Sequence, residues 1–148
     1  MKKILIGLTL IIGCSTLIVH EAEAVKHNSS KSIKTGSVID FSEFAANYSC
    51  PDKALSDILL ERKVIIDFFS NGCPPCRAFA PTFKQAAQEH TGVVFVKINV
   101  SDHNSIANRY NVRKIPSIRF FVDGQETGQE HGKLETRELT SAIRRHLR

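Results

Sequence analysis

The chain has 148 residues, of which 20 are Lys or Arg and 15 are Asp or Glu, so its net charge is +5 with neutral histidines. This length suits one domain of ordinary size, and the apolar and charged fractions exclude a disordered or fibrous protein. The basic residues are scattered and no aromatic residues alternate with them, so we predict no nucleic-acid partner.

The first 24 residues have the layout of a secretory signal peptide. Two lysines precede an apolar stretch over residues 4–19, and the sequence AEA at 22–24 supplies a small-x-small cleavage pattern. We therefore expect export to the periplasm with cleavage after Ala24. Two alternatives attach the protein to the membrane. Either the segment stays as an uncleaved anchor, or Cys14, which follows the sequence IIG as in a lipoprotein signal, is lipidated.

Residues 25–36 are polar and rich in lysine and serine, which predicts a flexible leader. A short strand is predicted from Val38 to Phe41, and a helix from Glu43 to Leu60 that is interrupted near Pro51. We expect Cys50, at this interruption, to be a small buried core residue. The alternative is a reactive third thiol that pairs with a partner.

The most informative stretch runs from Val64 to Pro81. Its first part, VIIDFF, is an unalternating apolar run, which is typical of a strand that is covered on both faces. Asn71 and Gly72 then end the strand.

Two cysteines three residues apart follow at the predicted start of a helix. A residue before proline is disfavoured in the α region, so we expect Cys73 and Pro74 to be extended. Pro75 suits the first helical position, where the backbone N–H has no intrahelical partner. Cys76 then lies one turn into the helix, close enough to Cys73 for a disulfide.

This placement favours a redox-active dithiol. A helix N-terminus favours negative charge, which lowers the pKa of a thiol and populates the thiolate. We therefore predict that Cys73 attacks disulfides and that Cys76 resolves the mixed disulfide. Two alternatives are weaker. A zinc half-site lacks a second ligand pair, and an inert disulfide that closes so short a loop adds little stability.

The remaining elements complete an α/β pattern. We predict that the helix that begins at Cys76 ends at Thr91-Gly92 and that a strand follows from Val93 to Val100. A short helix, capped by Asp102 or Asn104, then runs through Tyr110. The last predicted elements are a strand from Ser117 to Val122, a hairpin at Asp123-Gly124, a strand near Glu126 to Glu130, and a helix from Leu134 to Leu147. The order β-α-β-α-β-α-β-β-α predicts a sandwich around a mixed sheet.

In combination these features resemble the thioredoxin family from about residue 38 to residue 147. The shared motifs are DFF before the turn, CPPC in place of the family's CGPC, a proline in the following helix, VKIN, IPS, DG and a C-terminal amphipathic helix. The resemblance implies a three-layer α/β sandwich over residues 37–148, with a mixed central sheet and helices on both faces. It also implies thiol–disulfide oxidoreductase activity.

The resemblance assigns roles to residues outside the CPPC motif. Ile115-Pro116 matches the cis-proline loop, which lies against the dithiol and presents its backbone to an extended substrate. Asp67 matches a buried aspartate with a raised pKa that takes a proton from Cys76. Lys97 matches the lysine near that aspartate. The alternatives are a trans proline, an aspartate facing solvent and a solvated lysine.

Two departures from the family fall at the dithiol itself. Gly72 stands where the family has a tryptophan, and the chain contains no Trp, so the apolar contact surface beside Cys73 is in doubt. Pro74 replaces the family's glycine and removes one backbone donor from the start of the helix. Together with Pro75 and the Ile115-Pro116 loop, these residues are expected to contact the substrate.

We therefore predict a periplasmic, monomeric oxidoreductase that reduces or rearranges protein disulfides, needs no cofactor and no metal, and takes electrons from a membrane donor. Ile115 and the lack of a large helical insert resemble reducing thioredoxins more than Dsb-type oxidants. Two alternatives stay open: a disulfide oxidase or isomerase, and a binding or chaperone module with incidental redox activity. Four histidines are expected to be solvated, namely His90, His103, His131 and His146.

Overall fold

The computed structural model describes residue 33 and residues 35–148. The predictions for the signal segment, for Cys14 and for most of the leader concern residues outside this part of the chain. Within it, no helix combines the length and apolar character needed to cross a membrane.

Strands and helices alternate along the described residues in nearly the predicted order. They are β1 (Val38–Asp40), α1 (Phe41–Ala45), α2 (Pro51–Leu59), β2 (Lys63–Phe69), α3 (Pro74–Glu89), β3 (Val94–Asn99), α4 (Asn104–Arg109), β4 (Ser117–Val122), β5 (Gln125–His131) and α5 (Thr136–His146). The interrupted helix is two separate helices. Phe41 begins α1 instead of ending β1, because the Asp40 side chain caps this helix by accepting the Ser42 backbone N–H at 3.0 Å.

The five strands form one mixed sheet in the order β1-β3-β2-β4-β5. β1, β3 and β2 are parallel, and β4 is antiparallel to both of its neighbours. In the central strand, Val64, Ile65, Ile66 and Phe68 are all fully buried. The unalternating apolar run is explained by this position, since helices cover both faces of the sheet.

Each face of the sheet has its own hydrophobic core. The first core lies under α1, α2 and α4, and the second lies under α3 and α5. The fold is therefore the expected α/β sandwich. Ile33 packs against the first core, so the folded domain includes a residue that we expected in the leader.

The turn between β4 and β5 is the predicted hairpin. Asp123 and Gly124 both have positive φ, 48° and 78°. This pair of left-handed residues is what a two-residue turn of the hairpin type requires.

The predicted cap of α4 is wrong. His103 precedes this helix and makes no side-chain capping bond, while Asn104 is already helical. Asp102 instead accepts a hydrogen bond from the Asn99 side chain at 2.7 Å, which satisfies its carboxylate locally.

The prediction that Cys50 is a buried core residue is also wrong, because its side chain is exposed. Cys50 occupies the N-cap position of α2 with an extended backbone, as expected for a residue before Pro51. The apolar face of α2 begins only at Ala54.

Two of the four histidines are packed instead of fully solvated. His103 lies edge-on against Phe41, with ring centroids 4.8 Å apart. His146 lies over Phe120 at the same centroid distance, and its Nε2 is 3.1 Å from a Glu130 carboxylate oxygen.

Candidate active site

The central strand β2 delivers the two cysteines to the start of α3. After the strand ends, the Cys73 backbone N–H donates to the Ser70 carbonyl at 3.2 Å and closes a tight turn. Cys73 is the N-cap of α3, with extended dihedrals of −95° and 108° as predicted. Cys73 and Cys76 form a disulfide, with their Cα atoms 5.3 Å apart.

Both prolines of the motif lie in the first turn of this helix. Pro74 is its first residue, so the prediction of an extended Pro74 is wrong, and Pro75 follows at the second position. The ring of Pro74 already fixes φ near the helical value, and neither position needs a backbone N–H for an intrahelical bond. The restriction on residues before proline therefore holds at Cys73 and is overridden at Pro74.

The two sulfurs lie in different surroundings. The Cys76 backbone N–H, one of the free donors at the helix start, donates to Cys73 Sγ at 3.2 Å. The same sulfur lies 4.0 Å from the carbonyl oxygen of Ile115. Cys73 is 8% exposed and Cys76 is 3% exposed. A negative charge on Cys73 would therefore be stabilised by a backbone donor and by the helix N-terminus.

The Ile115-Pro116 peptide bond is cis, as the family resemblance implied. Its loop is fixed to the end of β5, since the Gly132 backbone N–H donates to the Pro116 carbonyl at 2.9 Å. Ile115 is half-buried, and its backbone carbonyl is the group that lies near Cys73 Sγ. Gly72, Pro74 and Pro75 are exposed. Their contact with substrate stays a prediction.

Asp67 lies in the middle of β2 and is only 4% exposed, so the alternative of an aspartate facing solvent is wrong. Its Oδ1 atom is buried without a hydrogen-bond partner among the residues that the structure describes. Burial raises the pKa of Asp67 to about 7, and the positive charge of Lys97 opposes part of this shift.

Lys97 lies beside Asp67 in the neighbouring strand, in direct register. Its Nζ, however, pairs with Asp40 of β1 at 3.1 Å and lies 5.4 Å from the centre of the Phe69 ring. Lys97 is therefore near the aspartate, as implied, but its ion-pair partner is Asp40. Asp40 was not predicted as part of the site, because 57 positions separate it from Lys97 and only the strand register joins them.

A cavity of about 430 Å³ opens beside the dithiol, and both Asp67 and Cys76 line it. Phe69 and Phe83 form part of its wall, and Lys97 lies on its lining as well. A site of this size with polar groups has room for water. Cys76 and Asp67 therefore lie on the same cavity, which is large enough to hold water.

A second buried charge, Arg119 of β4, was also missed. It donates through Nη1 to Glu126 at 2.8 Å and through Nε to the Ser117 hydroxyl at 3.2 Å. The available signal was an arginine inside the apolar strand SIRFFV. Because Ser117 directly follows Pro116, the hydrogen bond between Arg119 and Ser117 lies at the base of the cis-proline loop.

Comparisons with known proteins agree with this geometry. The thioredoxin family profile matches residues 46–145. The thioredoxin of Mycoplasmoides gallisepticum is 36% identical over 95 residues, which covers 63% of this chain and 95% of that protein. The thioredoxin of Mycoplasma genitalium is 43% identical over 75 residues, 50% of this chain and 74% of that protein. The Fasciola hepatica thioredoxin structure is 31% identical, covers 65% of this chain and 91% of its own, and has a TM-score of 0.59.

Proposed function

Since the chain belongs to the thioredoxin family and is a thiol–disulfide oxidoreductase, we propose that it reduces or rearranges protein disulfides in the periplasm. The observation that carries the assignment of roles is the hydrogen bond from the Cys76 backbone N–H to Cys73 Sγ at the start of α3. It makes Cys73 the sulfur that is best prepared to be a thiolate, and therefore the attacking one. Export is supported by the signal-peptide layout of residues 1–24.

The proposed reaction has two exchange steps. The Cys73 thiolate attacks one sulfur of the client disulfide, a mixed disulfide forms, and the other client sulfur leaves as a thiolate. The Cys76 thiolate then attacks Cys73 Sγ and releases the second client sulfur. The client gains two electrons and the protein is left with the Cys73–Cys76 disulfide. A membrane donor of two electrons would return it to the dithiol.

Asp67 is proposed as the acceptor of the Cys76 proton. The resolving thiol must lose this proton before it can attack, and Cys76 is almost fully buried. Asp67 shares the cavity with Cys76, and its pKa of about 7 lets it exchange a proton near neutral pH.

Trapping of the mixed disulfide tests the assignment of the two cysteines. Reduced Cys76→Ser protein should accumulate a covalent adduct with a disulfide-bonded client such as insulin, because Cys73 attacks and nothing resolves it. Cys73→Ser protein should form none, and both variants also carry Cys50→Ser, because the exposed Cys50 thiol would otherwise form adducts of its own. An adduct at Cys76 in the second variant would overturn the assignment. Failure of the wild-type protein to reduce any disulfide, with clients still bound by Cys73→Ser, would favour the chaperone alternative.

The reduction potential of the Cys73–Cys76 pair tests the direction of the reaction. It should be measured in glutathione or dithiothreitol buffers on protein with Cys50→Ser, because the exposed Cys50 thiol would otherwise take part in exchange. A value near about −270 mV indicates a reductase, whereas one near about −120 mV indicates an oxidant or isomerase.

A further inference from the structure

On the Gly72 side of the dithiol, the surface of the described part of the chain lacks a large apolar side chain. Gly72 is exposed, and a Cβ atom built there would meet no other atom within 4 Å. The position that holds a tryptophan in the family therefore leaves open space here. Pro74 and Pro75, next to the cysteines, are exposed, and Ile115 is half-buried. Because this side offers less apolar area for burial than a tryptophan would, charge gains weight in the choice of clients.

Three exposed cations surround this open surface. Arg113 and Lys114 directly precede Ile115, whose carbonyl oxygen is 4.0 Å from Cys73 Sγ, and successive Cα atoms are only about 3.8 Å apart. Arg77 follows Cys76, and its guanidinium donates to the Asn71 carbonyl at 3.0 Å. That contact holds Arg77 across the turn that leads into Cys73. We call Arg77, Arg113 and Lys114 the cationic rim.

No carboxylate neutralises the cationic rim within residue 33 and residues 35–148. Arg77 bonds to a neutral carbonyl, and Arg113 donates to the side-chain oxygen of Asn111 at 2.7 Å. Lys114 has no hydrogen bond or ion pair with any of these described residues.

Of the carboxylates where β1, β3 and β5 end, Asp40 is paired with the Lys97 ammonium at 3.1 Å and Glu135 with that of Lys133 at 2.6 Å. The partner of Asp102, the Asn99 amide at 2.7 Å, is neutral. Glu43 lies in α1 beside β1, three strands away from β4 in the sheet. At about 4.8 Å per strand this distance exceeds the Debye length of about 8 Å at physiological ionic strength. Asp102 follows β3, two strands from β4, and the three rim cations outnumber it, so the surface beside the cis-proline loop presents net positive charge to an approaching client.

We propose that the cationic rim selects clients that carry Asp or Glu next to the disulfide to be reduced. This inference rests on the proposed function and names its substrate class. Attraction between the rim and an acidic segment increases the rate of encounter, and it weakens as salt screens the charges. Exposed ion pairs are individually weak, so we expect about a twofold effect for each cation, which multiplies to about tenfold for the whole rim.

Three disulfide peptides that differ only in their flanking residues, Glu, Gln or Lys, test the proposal. The reduced protein is mixed with each peptide, and the second-order rate constant of the first exchange is measured in a single turnover at 20 mM and 200 mM salt. At low salt we expect the Glu peptide to react about tenfold faster than the Lys peptide, and we expect this ratio to fall at high salt. The ratio is the readout because the rim also affects the Cys73 thiolate, and that effect cancels between peptides.

Variants of the rim locate the effect. In the triple variant Arg77→Gln, Arg113→Gln, Lys114→Gln the ratio should fall to near one. Arg62→Gln is the matched control for one lost charge, since Arg62 is an exposed cation before β2, at the opposite end of the sheet. It should keep the wild-type ratio. The charge reversal Lys114→Glu, with a single exposed substitution, should reduce the ratio about fourfold and serves if the triple variant does not fold.

The outcomes separate the two proposals. If the wild-type protein reduces the Gln peptide but shows a ratio near one, or if Lys114→Glu keeps the wild-type ratio, the cationic rim does not select clients and the inference is overturned. If none of the three peptides is reduced, the proposed function fails first and the selection fails with it.

Discussion

Asp67 and Arg119 are buried ionisable residues on adjacent central strands, and they differ in whether their polar atoms have partners. They are 4% and 5% exposed. In the β2–β4 register, Asp67 pairs with Ile118, the residue before Arg119, and Arg119 pairs with Ile66, the residue before Asp67. Arg119 has a carboxylate and a hydroxyl as hydrogen-bond partners. Asp67 has an oxygen without a partner in the described part of the chain, and its pKa is raised to about 7.

The difference shows how a buried charge becomes structural or chemical. A buried charge is costly unless it is paired, and an unpaired one shifts its pKa toward the neutral form instead. The Arg119 guanidinium is paired with the Glu126 carboxylate at 2.8 Å. Asp67 is left to change its protonation near neutral pH, in the cavity that it shares with Cys76.

The largest effect is expected from Asp67→Asn on stability. Between pH 4 and 7 the Asp67 carboxyl keeps its proton in the folded protein and releases it in the unfolded chain. The free energy of unfolding of the wild-type protein therefore falls as the pH rises through this range. A shift of about three pKa units corresponds to about 4 kcal/mol. The stability of the variant relative to wild type should therefore increase by about 4 kcal/mol from pH 4 to pH 8. Urea unfolding of the oxidised proteins measures it, and a constant difference would contradict the raised pKa.

The second effect is expected from Arg119→Met. Breaking a fully buried ion pair costs about 3–5 kcal/mol, but Glu126 is 33% exposed and regains water, so we expect a loss of about 2 kcal/mol. The matched control is Arg109→Met, which removes the exposed pair with Asp52 and should cost less than about 1 kcal/mol. Urea unfolding at pH 7 compares the two. Equal losses would mean that the burial of Arg119 has no energetic consequence.

Asp67→Asn should also slow the step in which Cys76 resolves the mixed disulfide, and this effect is smaller when expressed as a free energy. Without the acceptor, resolution of the mixed disulfide by Cys76 should slow about tenfold at pH 7, which is about 1.4 kcal/mol. In the wild-type protein this rate should fall as the pH drops through 7, because Asp67 becomes protonated; the variant should lose this titration. Rapid-quench measurement of client release gives the rate. Arg119→Met should keep the wild-type pH dependence of the resolution rate. If this variant also lost the titration near pH 7, the contrast between Asp67 and Arg119 would be contradicted.

The smallest effect is expected from Lys97→Gln. The charge of Lys97 holds the pKa of Asp67 below the value that burial alone would give. Its removal should move the midpoint of the resolution rate to higher pH by less than about one unit. Lys84 lines the same cavity, so Lys84→Gln is the matched control and should leave the midpoint in place. A shift to lower pH in Lys97→Gln would contradict the sign of the interaction.

Much of the fold and of the site was predictable because it depends on local sequence. The apolar run of β2, the Asp123-Gly124 turn and the N-terminal position of Cys73 all follow from neighbouring residues. Asp67 was predictable because a carboxyl inside such a run is buried with it. Cys50 was misplaced even though Pro51 marked the start of a helix, whose N-cap lies outside the apolar face.

What was missed depends on contacts between distant segments. The pairing of Lys97 with Asp40 requires the β1–β3 register, and the partners of Arg119 require the β4–β5 hairpin to bring Glu126 alongside. Pro74 was misplaced for a different reason. Two local rules about proline conflict at this residue, and the fold decides between them.

The most direct test is the titration of the Asp67 carboxyl by ¹³C NMR in the oxidised protein, where the Cys73–Cys76 disulfide does not titrate. A proton acceptor for Cys76 near neutral pH requires a midpoint near 7, well above the ordinary aspartate value of 3.8. Asp67→Asn protein, in which this signal is absent, confirms the assignment. A midpoint near 4 would contradict the role of Asp67 and remove the contrast with Arg119.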